Sequence, residues 1–214
     1  AGRPHVFYAT PDEHRYAYWD GGQWRIETVD DTIGGWSSFS MFLSLDGAGR
    51  PHVAYVGDPA NDDLKYAYRD GGGWHVETVG SVAPAGARFS MALDTSAHPH
   101  LAYCRLDGSH CVELRHAWWD GAQWQSESVD AAGDVGYYPS LALDGEDRPH
   151  ISYHDDDNDA LKYAYYDGSA WQIETLEGGN VGWYTSLSLD GDGHPHIAHY
   201  DVSMGDLRYT WWGP

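Results

Sequence analysis

The stretch SLALDGEDRPHISYHDDDNDALKYAYYDGSAWQIETL, residues 140–176, decides the fold. It contains four short runs, SLALD, PHISY, LKYAYYD and WQIETL, whose alternating residues and Ile, Thr and Tyr content are typical of β-strands. Asp-Gly turns separate the first run from the second and the third from the fourth. Asp-Gly between strand-like runs is a strong hairpin signal, because glycine adopts a positive φ at little cost. The stretch therefore predicts a unit of four antiparallel strands.

This unit recurs along the whole chain. Its Pro-His-aliphatic element begins at Pro4, Pro51, Pro99, Pro149 and Pro195. The spacing between successive elements is 46 to 50 residues. Four-stranded units with a period of this length are typical of β-propeller blades. The first unit lacks its inner strand and the last lacks its outer strand. We therefore predict one all-β domain over residues 1–214, a β-propeller of five blades of four antiparallel strands whose terminal blades are incomplete.

Other arrangements of the repeat stay open at this stage. Four blades with two extra strands would also account for the strand count, and a β-solenoid is a further alternative. A homo-oligomer could complete the terminal blades, because an exposed edge strand invites pairing with another chain.

The charge of the chain excludes several partners. Its 214 residues include 12 Lys and Arg against 33 Asp and Glu, a net charge of −21. We therefore expect no binding to nucleic acid or anionic membranes, which attract Lys and Arg, and the charge disfavours sulfated or uronic polysaccharides. No run approaches 18 apolar residues, so no membrane span is predicted. The opening AGRPHVFYAT does not read as a signal peptide, which we expect to be absent or already removed.

Two cysteines, Cys104 and Cys111, flank the turn LDGSH. Their spacing suits a disulfide between the strands of a hairpin, and disulfides form in oxidising compartments. We therefore predict a disulfide and a secreted or periplasmic location. A metal or redox pair that includes His110 is the alternative.

Aromatic residues recur in the loops that cross from one unit to the next. The segments IGGWSSFS, VGYYPS and VGWYTS align Trp36, Tyr137 and Trp183, with Tyr138 and Tyr184 beside two of them. Loops on one face of a rigid scaffold often carry function. Exposed aromatic rings offer flat apolar surfaces with polar handles, on which sugar C–H faces can stack. We predict ligand binding here, with the filling of gaps between blades as the alternative.

Two histidines break the repeat near equivalent blade ends. His154 precedes Asp155, and His199 lies close to Asp201. We include these four residues among the predicted ligand-binding residues. Two histidines and a carboxylate could also hold Zn²⁺ with an open position for water, or act without metal as acid and base.

The acidic run at residues 155–159 suggests Ca²⁺ binding, because Ca²⁺ prefers several oxygen ligands. The run departs from the EF-hand pattern, since Ala160 stands where the turn glycine belongs. A solvated acidic turn is the favoured interpretation. We predict no metal or cofactor, with Ca²⁺ or Zn²⁺ as the alternatives.

Two further sets of residues recur with the repeat. The Pro-His histidines could form a metal ring, but bonding to a neighbouring strand or blade is the favoured interpretation. In four units a tryptophan follows the Asp-Gly turn between the third and fourth strands, and a glutamate comes three residues after that tryptophan. We expect the tryptophan and the glutamate to pack between blades. The histidines are His5, His52, His100, His150 and His196, and the tryptophans are Trp24, Trp74, Trp124 and Trp171.

The repeat as a whole resembles secreted bacterial β-propellers of the BNR and lectin-like kind. Within it, YAYWDGGQW, HAWWDGAQW and YAYYDGSAW are similar to the strand-turn-strand of fucose-binding propeller lectins. That resemblance implies sugars bound between blades through an Arg, a Glu and Trp residues. The repeated tryptophans match. The Pro-His histidine stands near the Arg position, and Tyr16, Tyr66, Tyr163, Tyr209 and, in the third unit, His116 stand near the Glu position.

The sequence therefore predicts a secreted, lectin-like carbohydrate-binding protein with several similar sites on the aromatic loops, whose number would give avidity. The first alternative is a hydrolase or lyase with a single site around His154 and His199, with or without a metal. The second alternative is a structural or protein-binding scaffold. No catalytic residue is assigned, and whether the protein is an enzyme is left open.

Overall fold

The computed structural model describes residues 2–32, 40–57, 63–81 and 89–212. Within these ranges the chain is all-β and forms 18 strands. The strands build five antiparallel sheets, of which the first and last have three strands and the other three have four. The predicted strand composition of the blades is confirmed, including the incomplete terminal ones.

The chain divides into two compact units, Ala1–Ala87 and Arg88–Pro214. Unit 1 holds two sheets in the order β1-β2-β3 and β4-β5-β6-β7. Their side chains share a core of Tyr16, Val29, Val53, Tyr55 and Ala67. The strands are β1 His5–Ala9, β2 His14–Trp19, β3 Trp24–Asp30, β4 Met41–Leu45, β5 Pro51–Val56, β6 Asp63–Asp70 and β7 Gly73–Ser81.

Unit 2 holds three sheets, in which each strand also pairs with its neighbour in sequence. One core cluster includes Leu114, Val135 and Ile151, and a second includes Leu161 and Ile197. The strands are β8 Phe89–Leu93, β9 Pro99–Asp107, β10 His110–Trp119, β11 Trp124–Asp130, β12 Val135–Leu143, β13 Pro149–Asp155, β14 Ala160–Tyr166, β15 Trp171–Gly178, β16 Trp183–Leu189, β17 Pro195–Asp201 and β18 Asp206–Trp211.

The organisation of residues 1–214 as a single domain stays a prediction. The described residues include no helix long and apolar enough to span a membrane.

A buried ion pair links consecutive sheets within each unit. In unit 1, Lys65 Nζ and the Tyr55 hydroxyl both donate to Asp30 Oδ2, each at 2.8 Å. Burial acts to raise the pKa of Asp30, but the hydrogen bonds from Lys65 and Thr32 outweigh it and lower that pKa to about 2. Asp30 ends β3, so its carboxylate fastens the first sheet to the second.

Unit 2 repeats this arrangement at equivalent positions. Lys162 Nζ and the Tyr153 hydroxyl donate to Asp130 Oδ2 at 2.6 and 2.7 Å. The only two lysines of the chain thus both form ion pairs that join neighbouring sheets.

The disulfide predicted between Cys104 and Cys111 is confirmed, and it joins β9 to β10 with the two Cα atoms 5.6 Å apart. His110 takes no part in a cysteine cluster. Its Nδ1 lies 2.6 Å from Asp134 Oδ2, and this carboxylate raises the pKa of His110.

Candidate functional site

The repeated tryptophan and glutamate form a bond between neighbouring sheets. Trp74 Nε1 donates to Glu27 Oε2 at 3.1 Å in unit 1. Trp171 Nε1 donates to Glu127 Oε1 at 3.0 Å in unit 2. In both cases the glutamate lies on the last strand of one sheet and the tryptophan on the last strand of the next. The packing between blades expected from these residues is therefore observed at two junctions.

The Pro-His histidines bond the adjacent strand of their own sheet, as the favoured interpretation expected. In four repeats the histidine Nδ1 contacts a tyrosine hydroxyl. The pairs are His5–Tyr16, His52–Tyr66, His150–Tyr163 and His196–Tyr209. These pairs lie near the positions where the resemblance to fucose-binding lectins implies Arg and Glu.

The third repeat differs, because His116 replaces the tyrosine. His100 Nδ1 lies 3.0 Å from His116 Nε2, and His116 Nδ1 lies 3.3 Å from Glu127 Oε1. A carboxylate can only accept, so His116 donates from Nδ1 and accepts at Nε2 from His100. Burial, followed by the neighbouring His116, lowers the pKa of His100 to about 4. Burial also lowers the pKa of His116. Both rings are therefore neutral near pH 7.

A cavity of about 290 Å³ opens directly above this histidine pair, between the sheets β8–β11 and β12–β15. The indole of Trp118 forms one wall and stacks on His116 with ring centroids 5.0 Å apart. The next sheet contributes the opposite wall from its first hairpin and from Tyr166. The lining residues are His100, His116, Trp118, Glu127, Asp147, Arg148, Pro149 and Tyr166.

Unit 1 has a second cavity at the equivalent place between its two sheets, with a volume of about 650 Å³. His5, Tyr16 and Tyr18 form the part that corresponds to His100, His116 and Trp118. Tyr18 stacks on His5 at 6.2 Å between ring centroids. The remaining lining includes Arg50 and Pro51 of the second sheet's hairpin, where unit 2 has Arg148 and Pro149. Both cavities thus combine an aromatic wall with hydrogen-bonding groups, as small-molecule sites do.

The predicted aromatic loops form a cluster in unit 2. The ring of Tyr138 lies 4.3 Å from Tyr184 and 5.3 Å from Trp183, measured between centroids. Tyr138 is buried, whereas Tyr184 is 63% exposed. The side chain of Tyr137 instead contacts the preceding sheet, where its hydroxyl accepts a hydrogen bond from the Cys111 amide at 3.0 Å. Trp36 lies outside the described residues. Ligand binding by these residues stays a prediction.

The aromatic loops depend on an unusual backbone. Tyr138 and Tyr184 have φ values of 52° and 53°, which bulky residues rarely adopt. Each follows a glycine two residues earlier. A Cβ on Gly136 would lie 2.9 Å from Leu114 Cβ, and one on Gly182 would lie 2.8 Å from Leu161 Cα. The equivalent glycines let both loops approach the preceding sheet closely.

The structure brings His154 and His199 to the two sides of one peptide bond. His154 Nδ1 donates to the Val181 carbonyl at 2.8 Å, and the Gly182 amide donates to His199 Nδ1 at 3.2 Å. Both histidine side chains are fully buried. His199 Nε2 also contacts Thr210 Oγ1 at 3.1 Å. These contacts explain the two histidines as supports of the loop that carries Trp183, and their role in ligand binding stays a prediction.

The two neighbouring aspartates bond their own turns. Asp155 accepts from the Asn158 side chain at 3.0 Å, and Asp201 accepts from Ser203 at 2.6 Å and from Arg208 Nε at 2.9 Å. The Ser203 hydrogen bond lowers the pKa of Asp201. Their predicted contact with a ligand is likewise untested.

Among the described residues, the one group whose ligand atoms converge closely enough for a metal ion is Asp190, Asp192 and His194 in the first hairpin of the last sheet. Asp190 accepts backbone hydrogen bonds from the other two residues at 2.9 Å each. Turn chemistry of this kind accounts for the group without an ion. The Ca²⁺ and Zn²⁺ alternatives stay predictions.

Comparison with solved structures places the fold. BP39L lectin from Burkholderia pseudomallei matches with a TM-score of 0.75 and 16% identity, over 99% of this chain and 65% of that one. SapL1 lectin in complex with alpha methyl fucoside matches with a TM-score of 0.68 and 14% identity, over 98% and 72%. A variant of Aleuria aurantia lectin in complex with Fucα1-6GlcNAc gives 0.65 and 15%, over 99% and 75%. The fold is that of β-propeller lectins.

No family model and no curated protein matches the chain. The chain spans 65 to 75% of the length of these three lectins. The structural neighbours include fucose-binding lectins, in agreement with the resemblance seen in the repeat, whereas the likeness to the BNR kind stays a prediction.

Among the residues that line the cavities, Trp118, Arg50 and Arg148 were not predicted from the sequence. The signal was present in the tripeptide Arg-Pro-His at residues 3–5, 50–52 and 148–150. Its arginine precedes the repeated histidine and, at Arg50 and Arg148, lines the cavity formed with the preceding sheet.

Proposed function

We propose that this protein is a lectin-like carbohydrate-binding protein and that the cavities between sheets bind the sugar. The observation that carries the proposal is the unit 2 cavity, whose lining combines the indole of Trp118 with hydrogen-bond donors and acceptors. A sugar has an apolar C–H face and a rim of hydroxyls, so it needs both surfaces at once. The fold shared with β-propeller lectins supports the same conclusion.

The groups of the unit 2 cavity suit specific roles. Trp118 would stack on the C–H face of the sugar. Glu127 would accept a hydrogen bond from a sugar hydroxyl, and Arg148 would donate one to a hydroxyl oxygen. His100 is neutral and donates to His116 from Nδ1. Its Nε2 therefore carries no proton and can accept a hydrogen bond from the sugar. These groups need no metal or cofactor for binding.

The aromatic loops offer a second location for the same function. Tyr184 is exposed beside Trp183 and Tyr138, so its ring could stack on a sugar. Backbone strain at Tyr138 and Tyr184 supports this location, since such strain concentrates at functional sites. We give the cavities precedence because they supply polar groups from two sheets next to the stacking ring.

The catalytic alternative around His154 and His199 receives less support. Both rings are buried and bond one peptide of the Trp183 loop, an arrangement that explains them without a reaction. A protein-binding scaffold would not require the polar and aromatic lining that the two cavities share.

Secretion and oligomerisation are further parts of the proposal. The disulfide supports an oxidising, extracellular or periplasmic compartment. A second copy that completes the terminal blades would cover β18, where Tyr209 and Trp211 are 60% and 58% exposed. The equivalent Tyr16 and Tyr66 are buried. A light-scattering mass equal to one chain at all concentrations would contradict this second copy.

A glycan array tests the function, with and without EDTA in the binding buffer. We expect binding to a defined group of glycans that EDTA does not reduce. Silence across the array would contradict the lectin proposal. Loss of binding in EDTA would contradict the metal-free site and point to the Ca²⁺ or Zn²⁺ alternative.

A further inference from the structure

The cavity of unit 1 gathers positive charge in an acidic protein. The chain has only 12 Lys and Arg, and Arg3, Arg50 and Arg69 all line this one cavity. Among the described residues of its lining, Asp70 is the single acidic side chain. The equivalent cavity of unit 2 has one arginine against a glutamate and an aspartate. Counted over the described lining residues, basic side chains outnumber acidic ones in the unit 1 cavity, and acidic ones outnumber the single arginine in the unit 2 cavity.

Three changes in the repeat produce this difference. The hairpin DGAGR of residues 46–50 places Ala48 and Gly49 where DGEDR of residues 144–148 has two acidic residues. Arg69 stands at the position of Tyr166. The third change is Arg3, which reaches the cavity from the segment before β1.

The acidic residues of unit 2 neutralise its arginine. Arg148 pairs with Asp144 at 2.7 Å and with Glu146 at 3.2 Å. Arg50 has one acidic partner, Asp46, which its Nε contacts at 2.6 Å. Both terminal nitrogens of Arg50 therefore keep hydrogen-bonding capacity that no described residue uses.

The other two arginines also retain free donors. Arg69 contacts Glu27 through Nε at 2.6 Å and Nη2 at 3.0 Å, which leaves Nη1. Arg3 forms no ion pair with any described residue and is exposed. Guanidinium groups bind carboxylates and other oxyanions with several parallel hydrogen bonds.

We propose that the unit 1 cavity binds a saccharide that carries an anionic group, either a carboxylate or a sulfate ester. The inference rests on the proposed carbohydrate-binding function and adds the ligand class of one site. Tyr18 and the His5–Tyr16 pair provide the surface for the sugar ring. Arg3 and the terminal nitrogens of Arg50 donate to the anion, Arg69 adds its remaining Nη1, and Asp70 accepts from a hydroxyl.

The net charge of the chain does not oppose this assignment at the site itself. Interactions between exposed charges are largely screened beyond about 8 Å at physiological ionic strength. A ligand inside the cavity therefore responds mainly to the lining arginines. The expectation that the acidic chain disfavours uronic or sulfated sugars concerns the surface as a whole and stays a prediction, to which this cavity would be a local exception.

Isothermal titration of the full chain tests the assignment with three probes: methyl β-D-glucuronide, glucose 6-sulfate and methyl β-D-glucoside. We expect one of the anionic probes to bind at least tenfold more tightly than the neutral glucoside. The probe that does so identifies the anionic group. The double variant Arg3→Ala, Arg50→Ala should remove this preference.

The matched control is Arg25→Ala in the same unit, because Arg25 forms a surface pair with Asp20 at 2.6 Å outside the cavity. It should keep the preference for the anionic probe. Equal affinity for all three probes, or equal loss in the control, would overturn the inference. Binding of neutral glycans on the array alongside that result would leave the proposed function intact, whereas silence in both experiments would overturn both.

Discussion

At the scale of the residue, one substitution in the repeat changes the chemistry of a whole cavity. Four repeats pair the Pro-His histidine with a tyrosine, and the third pairs His100 with His116. A tyrosine hydroxyl stays neutral over the physiological range, whereas a histidine ring can gain a proton near pH 6.5. Burial keeps both rings neutral. The folded protein should therefore lose stability at acidic pH, where histidines of the unfolded chain take up protons.

The pH dependence of stability should report that cost. The pKa of His100 falls to about 4 in the folded protein from about 6.5 in the unfolded chain. Between these values the unfolded state binds more protons, so the free energy of unfolding decreases as the pH falls. We expect His100 alone to contribute a loss of about 2 kcal/mol between pH 7 and pH 5.

Urea unfolding of the wild type and of His100→Gln at several pH values measures this contribution. The variant should have a shallower decrease in stability between pH 7 and pH 5. Parallel curves for the two proteins would show that His100 is not the group that resists protonation.

At the scale of the element, short contacts that recur with the repeat fasten neighbouring sheets within unit 1 and within unit 2. The Trp171–Glu127 bond and the Lys162–Asp130 pair both cross from one sheet to its neighbour in unit 2. Gly182 adds the close approach of the loop before β16 to Leu161. These contacts require a close fit between neighbouring atoms, so small changes in side-chain size should lower the free energy of unfolding.

Gly182→Ala should destabilise the protein by about 2 kcal/mol or more. The residue has a φ of +86°, and its Cβ would press against the backbone of Leu161, which cannot move aside. Gly145→Ala is the control, because its Cβ would meet nothing within 4 Å. Thermal unfolding of both variants checks this expectation, and equal melting temperatures would contradict it.

The sequence allowed the strands to be predicted because alternation and Asp-Gly turns are local properties of the chain. The Trp–Glu packing was also accessible, since both residues recur with the period. The cavities were not, because their walls come from residues about 50 positions apart, such as His100 and Arg148. The role of His154 and His199 was equally hidden, since only the fold shows that both bond the peptide between Val181 and Gly182.

At the scale of the whole molecule, the repeat and its substitutions form related cavities within unit 1 and within unit 2. Within unit 1 and within unit 2 the same place between sheets forms a cavity, but the charges differ. Related sites of different preference would let one protein engage a glycan surface through more than one kind of sugar. Several sites per molecule would also raise the avidity for such a surface.

The most direct test of this account asks where the sugar binds. The glycan bound most strongly on the array is titrated calorimetrically into the wild type, Trp118→Ala and Tyr184→Ala. We expect Trp118→Ala to weaken binding at least tenfold at one site, because the stacking wall of the unit 2 cavity is lost, while Tyr184→Ala retains the wild-type affinity. The opposite result, with binding lost in Tyr184→Ala and kept in Trp118→Ala, would move the site to the aromatic loops and contradict the account.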